Sequence, residues 1–230
     1  MRVWVARPEP GATRTGAALA GRGHAPLLAP VLAIRPRAEP PPAGPFDGIL
    51  LTSAQAAPAV AADLRGVPVF AVGARTAGAA RDAGLGPVIE GPGDAAGLAA
   101  LVAARLPTGA RLLHVAGEDR KAEPAASLGQ AGFALVTHVA YGARALPHLP
   151  REAGDALGRG ALDAALHFSR RSAATALALS DAAGHGGAFR ALEHYCLSAD
   201  IAEALEQAGI RVHFVAAQPR ETALLDGLAR

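Results

Sequence analysis

With 230 residues, 51% of them hydrophobic, the chain has material for two α/β domains of ordinary size or one large one. A net charge of +2 is too balanced for a nucleic-acid-binding stripe but suits an anionic small molecule. A single cysteine, Cys196, excludes a disulfide framework and a thiolate zinc site, and its place in a predicted strand makes it an inert buried thiol.

The apolar run Val3–Ala6 predicts a buried strand. Arg7-Pro8-Glu9-Pro10-Gly11 turns, Ala12–Gly21 reads as a helix and Pro26–Val31 as a second strand. Leu32–Pro45 is rich in proline, which fixes φ and cannot donate to a strand ladder, so it reads as a linker. Ile49-Leu50-Leu51 is a short continuous apolar run of the kind covered on both faces. Thr52 and Ser53 end it, and an Ala-rich helix is expected from Ala54.

Val67–Val72, Val88–Glu90, Arg111–Ala116 and Ala134–Ala140 are the next strands. Helices are expected over Gly73–Ala83, Ala95–Arg105 (capped by Asp94) and up to Ala131. Tyr141 is read as the end of the fourth of these strands. A second proline-rich stretch, Leu146-Pro147-His148-Leu149-Pro150, precedes a short helix. The remainder repeats the scheme. Strands are predicted at Ala164–Phe168, His194–Leu197 and Arg211–Val215, with helices at Ser172–Leu179, Asp200–Ala208 and Arg220–Leu228 and a Gly-rich loop at 184–187. Alternating strands and helices predict parallel sheets covered by helices, which bind ligands beyond the carboxyl ends of their strands.

The chain carries an internal repeat. Phe46–Ala57 aligns with Leu162–Ala173, placing Asp47 with Asp163 and Ser53 with Ser169. Phe70–Leu85 aligns with Tyr195–Ile210, and Arg2–Val31 with Arg111–Ala140, matching Gly23 to Gly132. A diverged duplication of one α/β unit is the reading. Periodicity alone permits two tandem domains, one per repeat.

The glycine-rich loops lack dinucleotide spacing, there is no P-loop lysine, and no nucleophile-elbow motif appears. The histidines show no metal spacing; His114, His138 and His167 fall on predicted strands and read as core or edge residues. What remains is a rim at the strand ends: Arg7, Thr52, Ser53, Gly73, Thr76, Gly117, Arg120, Ser169 and Ser172. For each, capping and turn geometry is the competing role. Together they offer hydroxyls, free helix amides and a few guanidiniums, a set suited to a polycarboxylate.

Several of these stretches resemble a known family. Arg7-Pro8, Leu51-Thr52-Ser53-Ala54, Val72-Gly73 with Thr76-Ala77, Gly93-Asp94-Ala95-Ala96-Gly97-Leu98, Gly117-Glu118-Asp119-Arg120, Tyr141, and Phe168-Ser169 with Ser172 together resemble uroporphyrinogen-III synthase. Their order and spacing span nearly the whole chain. The resemblance implies two flavodoxin-like parallel-sheet domains joined by a two-stranded linker. It places residues 1–37 and 147–230 in one discontinuous domain and 38–146 in an inserted one.

The activity it implies is closure of linear hydroxymethylbilane to uroporphyrinogen III, with loss of water and inversion of the last pyrrole ring. No cofactor and no metal are implied. Tyr141 is the candidate for assisting hydroxide departure, with packing between domains as its competing role; the rim residues are the candidate substrate contacts. One departure stands out. Where the second half of the family often has Gly and Thr, this chain has Ser198 and Ile201, and no site is carried over there.

The rival reading is a non-catalytic two-lobed module that holds an anion. A flavin site would need a hydroxyl-rich loop after the first strand, and Ala6-Arg7-Pro8-Glu9-Pro10 is not one. The first residues are too interrupted by charge and proline for a signal peptide, and no stretch reaches membrane-spanning length. A monomeric cytoplasmic protein without membrane or nucleic-acid partners is therefore expected.

Overall fold

The computed structural model describes residues 1–120 and 122–229, so Lys121, the sole lysine, lies outside the described residues. The chain begins with β1 (Arg2–Val5), α1 (Gly11–Ala20), β2 (Ala25–Leu28) and β3 (Leu32–Pro36). Next come β4 (Gly48–Leu51), 3-10 segments at Ala54–Ala59 and Ala62–Leu64, β5 (Val69–Ala71) and α2 (Ala74–Asp82). They are followed by β6 (Val88–Glu90), α3 (Ala95–Arg105), β7 (Arg111–Gly117), α4 (Ala125–Gln130) and β8 (Ala134–Ala145). The last part comprises α5 (Arg151–Gly158), β9 (Ala164–His167), α6 (Arg170–Ala182), α7 (Gly186–Arg190), β10 (Glu193–Cys196), α8 (Ala199–Gln207), β11 (Val212–Val215) and α9 (Glu221–Asp226).

These elements form two compact units, one of residues 1–34 and 143–230 and the other of residues 35–142. In the first, a parallel sheet runs β11-β10-β9-β1-β2. Strand alternation sends Val3 and Val5 to one face and Trp4 to the other. Trp4 is fully buried, meets Phe189 edge-on, and donates its indole N–H to the Ala29 carbonyl at 2.9 Å, so the ring is buried without an unpaired donor.

The second unit is built on a sheet of order β3-β8-β7-β4-β5-β6, parallel from β8 through β6. Its middle strand β4 is buried at every residue. Ile49 and Leu51 pack on one face with Val69, Leu113 and Val115; Leu50 packs on the other with Phe70, Leu98 and Leu112. Gly48 opens the strand because a β-carbon there would press to 3.1–3.2 Å on Phe70, Leu106 and Leu112.

Three sequence expectations need correction, and the linker reading gains detail. The Ala-rich segment after Ser53 is a 3-10 helix, not an α-helix. Pro58 explains this: it has no N–H to give, and its ring would clash with the carbonyl four residues back. The proline-rich stretch from Leu32 begins as strand β3, which pairs with β8 at the sheet edge, where a missing donor is tolerated. β8 does not stop at Tyr141 but continues to Ala145, so Tyr141 is an interior strand residue. Gly186 and Gly187 of the predicted Gly-rich loop belong to the short helix α7, whose Phe189 fills the core beside Trp4.

Candidate functional site

In both sheets the parallel strands end on one edge, and the predicted site residues lie along those edges. In the unit of residues 35–142, Thr52 follows β4. Its Oγ1 lies 3.3 Å from His114 Nε2 on the neighbouring strand β7. The register sets this contact: Leu50 is level with His114, so Thr52, two residues on, shares its face. His114 is 2% exposed, and among the described residues its Nδ1 has no partner. Burial, aided by the charge of Arg120, pushes its pKa down to about 4, so the ring is neutral at ordinary pH. The sequence marked His114 as core; its second role needs the β4–β7 register, which no local signal carries.

Ser53 caps the 3-10 segment, its Oγ accepting from the Gln55 N–H at 3.3 Å. Gly73 is the extended residue before α2, and a β-carbon on it would come 3.1 Å from the Gly93 α-carbon. The loop Gly91-Pro92-Gly93 thus sits against the start of α2, held by the Gly93 N–H donating to the Val72 carbonyl at 2.7 Å. Thr76 is only 2% exposed. The first ladder bond of α2 is donated by Ala77 to the Gly73 carbonyl, so what this turn presents is the backbone amides of residues 74–76 rather than the Thr76 hydroxyl.

Gly117 ends β7 opposite Tyr141, where the register slips by a bulge. The phenol ring covers Gly117: a β-carbon there would lie 2.7 Å from Tyr141 Cε2 and 3.2 Å from its hydroxyl oxygen. The Glu118 N–H donates to the Tyr141 carbonyl at 2.9 Å, and Glu118 pairs with Arg37 at 3.6 Å. Tyr141 is half-buried. Arg120 is exposed and turns a guanidinium nitrogen toward the Glu118 carbonyl at 3.4 Å.

The edge of the other unit carries Arg7, Ser169 and Ser172. Ser169 is the N-cap of α6: its Oγ accepts from the Ser172 N–H at 3.2 Å and lies 2.9 Å from the Ser172 hydroxyl. Ser172 is buried and also donates to the Ser169 carbonyl at 3.1 Å. Arg7 is held within the unit. It stacks over Phe168 at 4.0 Å from the ring centroid, pairs with Glu221 at 3.7 Å and lies over Gly11, where a β-carbon would meet it at 2.5 Å. Glu221 is the partner sequence reading missed; it also accepts from buried Thr15 and from Arg14, tying α9 to α1.

Ser198, where nothing was expected, precedes α8 but donates to the Asp200 carboxylate rather than capping the helix. Cys196 is fully buried, and burial with the charges of Glu206 and Asp200 pushes its thiol up to about 12.

Comparison with family models matches residues 13–226 to the family described as uroporphyrinogen-III synthase HemD. The chain belongs to the uroporphyrinogen-III synthase family. Its activity is that family's cyclising lyase reaction of tetrapyrrole biosynthesis, closing hydroxymethylbilane to uroporphyrinogen III. A crystal structure of uroporphyrinogen-III synthetase from Helicobacter pylori is 16% identical, covers 99% of this chain and 97% of its own, and superposes with a TM-score of 0.59. That likeness shows a shared fold. A crystal structure of a mutant uroporphyrinogen III synthase from Thermus thermophilus is 20% identical over 100% of this chain and 98% of its own, with a TM-score of 0.49. Comparison with curated proteins gives no match.

Proposed function

We propose that this uroporphyrinogen-III synthase works mainly by holding its polycarboxylate substrate through the carboxyl edges of its sheets. A hydroxymethylpyrrole loses its hydroxyl readily, because the ring nitrogen lone pair pushes it out. The harder task is geometric: the linear chain must be held curled so that the substituted carbon of the last ring is attacked. The observation that carries this reading is the family match, which spans both edges. On these edges the amides of residues 74–76 and the hydroxyls of Thr52 and Ser53 face the acetate and propionate groups. So do Arg120 and the Ser169–Ser172 turn. Each exposed helix terminus contributes about 0.3–1 kcal/mol toward an anion. Arg7 is read as shaping its edge, given its pairing with Glu221 and Phe168. Tyr141 is the candidate proton donor to the leaving hydroxide, its ring seated on Gly117.

The fold is read as a duplication of one flavodoxin-like domain. Numbered within its own unit, the first sheet has the order 2-1-3-4-5 of that fold. Five strands of the second sheet have the same order once β7 and β8 are counted first, as the repeat aligns them with β1 and β2, and β3 is added at the β8 edge. Glycines paired by the repeat share a left-handed backbone: Gly23 and Gly132 at φ 80° and 82°, Gly84 and Gly209 at 71° and 75°. The division at residues 34/35 and 142/143, inside the paired strands β3 and β8, supports a discontinuous domain of 1–37 and 147–230 around an inserted 38–146 with a two-stranded linker.

A monomeric cytoplasmic enzyme is the reading carried with it. It is supported by large hydrophobics exposed only singly among the described residues, at Met1, Leu28 and Val215. Among those residues no helix is long and apolar enough to cross a membrane.

The test is incubation with hydroxymethylbilane and separation of the type I and type III products. Type III in excess over an enzyme-free control supports the reading; type I alone overturns it. Light scattering of the purified protein tests the monomer.

A further inference from the structure

We infer that His114 is a positioning residue that fixes the hydroxyl of Thr52 as a hydrogen-bond donor toward a substrate carboxylate. This rests on the reading of Thr52 as a substrate contact. A threonine hydroxyl can accept or donate, and an anion is held only by the donating form. The 3.3 Å contact to His114 Nε2 decides between the two. If Nε2 carries the proton, it donates to Thr52 Oγ1, and the threonine proton is left to point elsewhere. If Nδ1 carries it, Nε2 accepts that proton, and Thr52 offers only lone pairs, which repel a carboxylate.

The surroundings of Nδ1 select the first arrangement. Among the described residues the buried Nδ1 has no partner, on a residue 2% exposed. A bare nitrogen lone pair in that position costs less than a buried N–H without an acceptor, which native structures rarely tolerate. The β4–β7 register holds both side chains on one face, and Leu112, next along that face of β7, is fully buried among Leu50, Phe70 and Leu98. The imidazole therefore has a fixed seat from which to orient the hydroxyl at the strand end. Hydrogen bonds to charged groups are the stronger class, so a correctly turned hydroxyl matters more to a carboxylate than to a neutral ligand.

The first test is spectroscopic and needs no variant. In nitrogen-15 histidine spectra of the intact protein, His114 should show a protonated Nε2 and a bare Nδ1; the reverse tautomer overturns the inference. The second is kinetic, with hydroxymethylbilane. Thr52→Val should raise KM about tenfold with kcat little changed. His114→Leu should raise KM by a similar factor, the double variant should show no further rise, and His114→Gln, which keeps a side-chain N–H, should restore most of the loss. If Thr52→Val raises KM and His114→Leu does not, or the two effects multiply, the positioning role is wrong while the substrate contact stands. If Thr52→Val leaves KM unchanged, both fall. Should His114→Leu not fold, the tautomer and the Gln variant still decide.

Discussion

The ring of Tyr141 rests on the α-carbon of Gly117, so closely that any β-carbon at Gly117 would lie 2.7 Å from the ring's Cε2. The contact is with the outer end of a half-buried ring, while the strand that carries it is held by the Glu118 N–H donating to the Tyr141 carbonyl. Gly117→Ala is therefore expected to displace the phenol and to cost about 1–3 kcal/mol by overpacking. Type III formation should fall at least as far as in Tyr141→Phe. Product analysis beside a thermal melt checks this, and full activity in the alanine variant would remove the ring's position from the mechanism.

Tyr141→Phe keeps the ring over Gly117 and removes only the hydroxyl. General-acid assistance typically supplies about 10²–10⁴-fold, and the easy departure of this leaving group argues for the low end or less. A stable Phe variant with type III formation reduced up to about a hundredfold is the expected outcome. A fully active one would falsify the role and leave Tyr141 as a packing residue.

Ser169 and Ser198 stand at equivalent places before α6 and α8 yet bond differently. Ser169 accepts from the Ser172 N–H, whereas Ser198 gives its hydroxyl to Asp200. Losing a true N-cap costs about 1 kcal/mol. Ser169→Ala should accordingly destabilise by about 1 kcal/mol in urea unfolding. Ser198→Ala should cost only a few tenths, roughly the scale of an exposed polar contact. Equal losses would contradict the assignment.

Acid stability should be set in part by buried histidines. His167 Nε2 and His194 Nδ1 lie 2.9 Å apart in the core, and His194 donates from Nε2 to the Phe189 carbonyl, so His167 is the donor within the pair. Burial pushes both pKa values well down, and His114 is brought to about 4. With folded values below the ordinary 6.5, the unfolded chain binds more protons. The contribution is complete above about pH 6.5 and is lost as pH falls toward 4. His114 alone accounts for on the order of 3 kcal/mol over that window. Urea midpoints measured from pH 7 to 4 should fall accordingly, and the fall should be shallower in His114→Gln. An unchanged slope in that variant would show that His114 does not contribute.

Much of this molecule is determined by its sequence alone. Short apolar runs such as Ile49-Leu50-Leu51, separated by Ala-rich segments with Ser or Asp at their starts, dictate buried parallel strands and capped helices because these are local demands of burial and hydrogen bonding. Asp94 is a cap as read, Ser169 makes the capping bond that was its competing role, and the family motifs are legible because they lie at strand ends in a fixed order. What only the tertiary structure decided are the contacts that need register across distant strands. His114 reaches Thr52 through the β4–β7 pairing, Gly117 lies under Tyr141 through β7–β8, and Arg7 meets Glu221 across most of the chain. Leu32–Pro36 became a strand because β8 supplied it with a partner at the sheet edge, where its proline needs no donor. Local composition cannot express these choices, since a side chain's role as core, cap or site residue depends on which strand lies beside it.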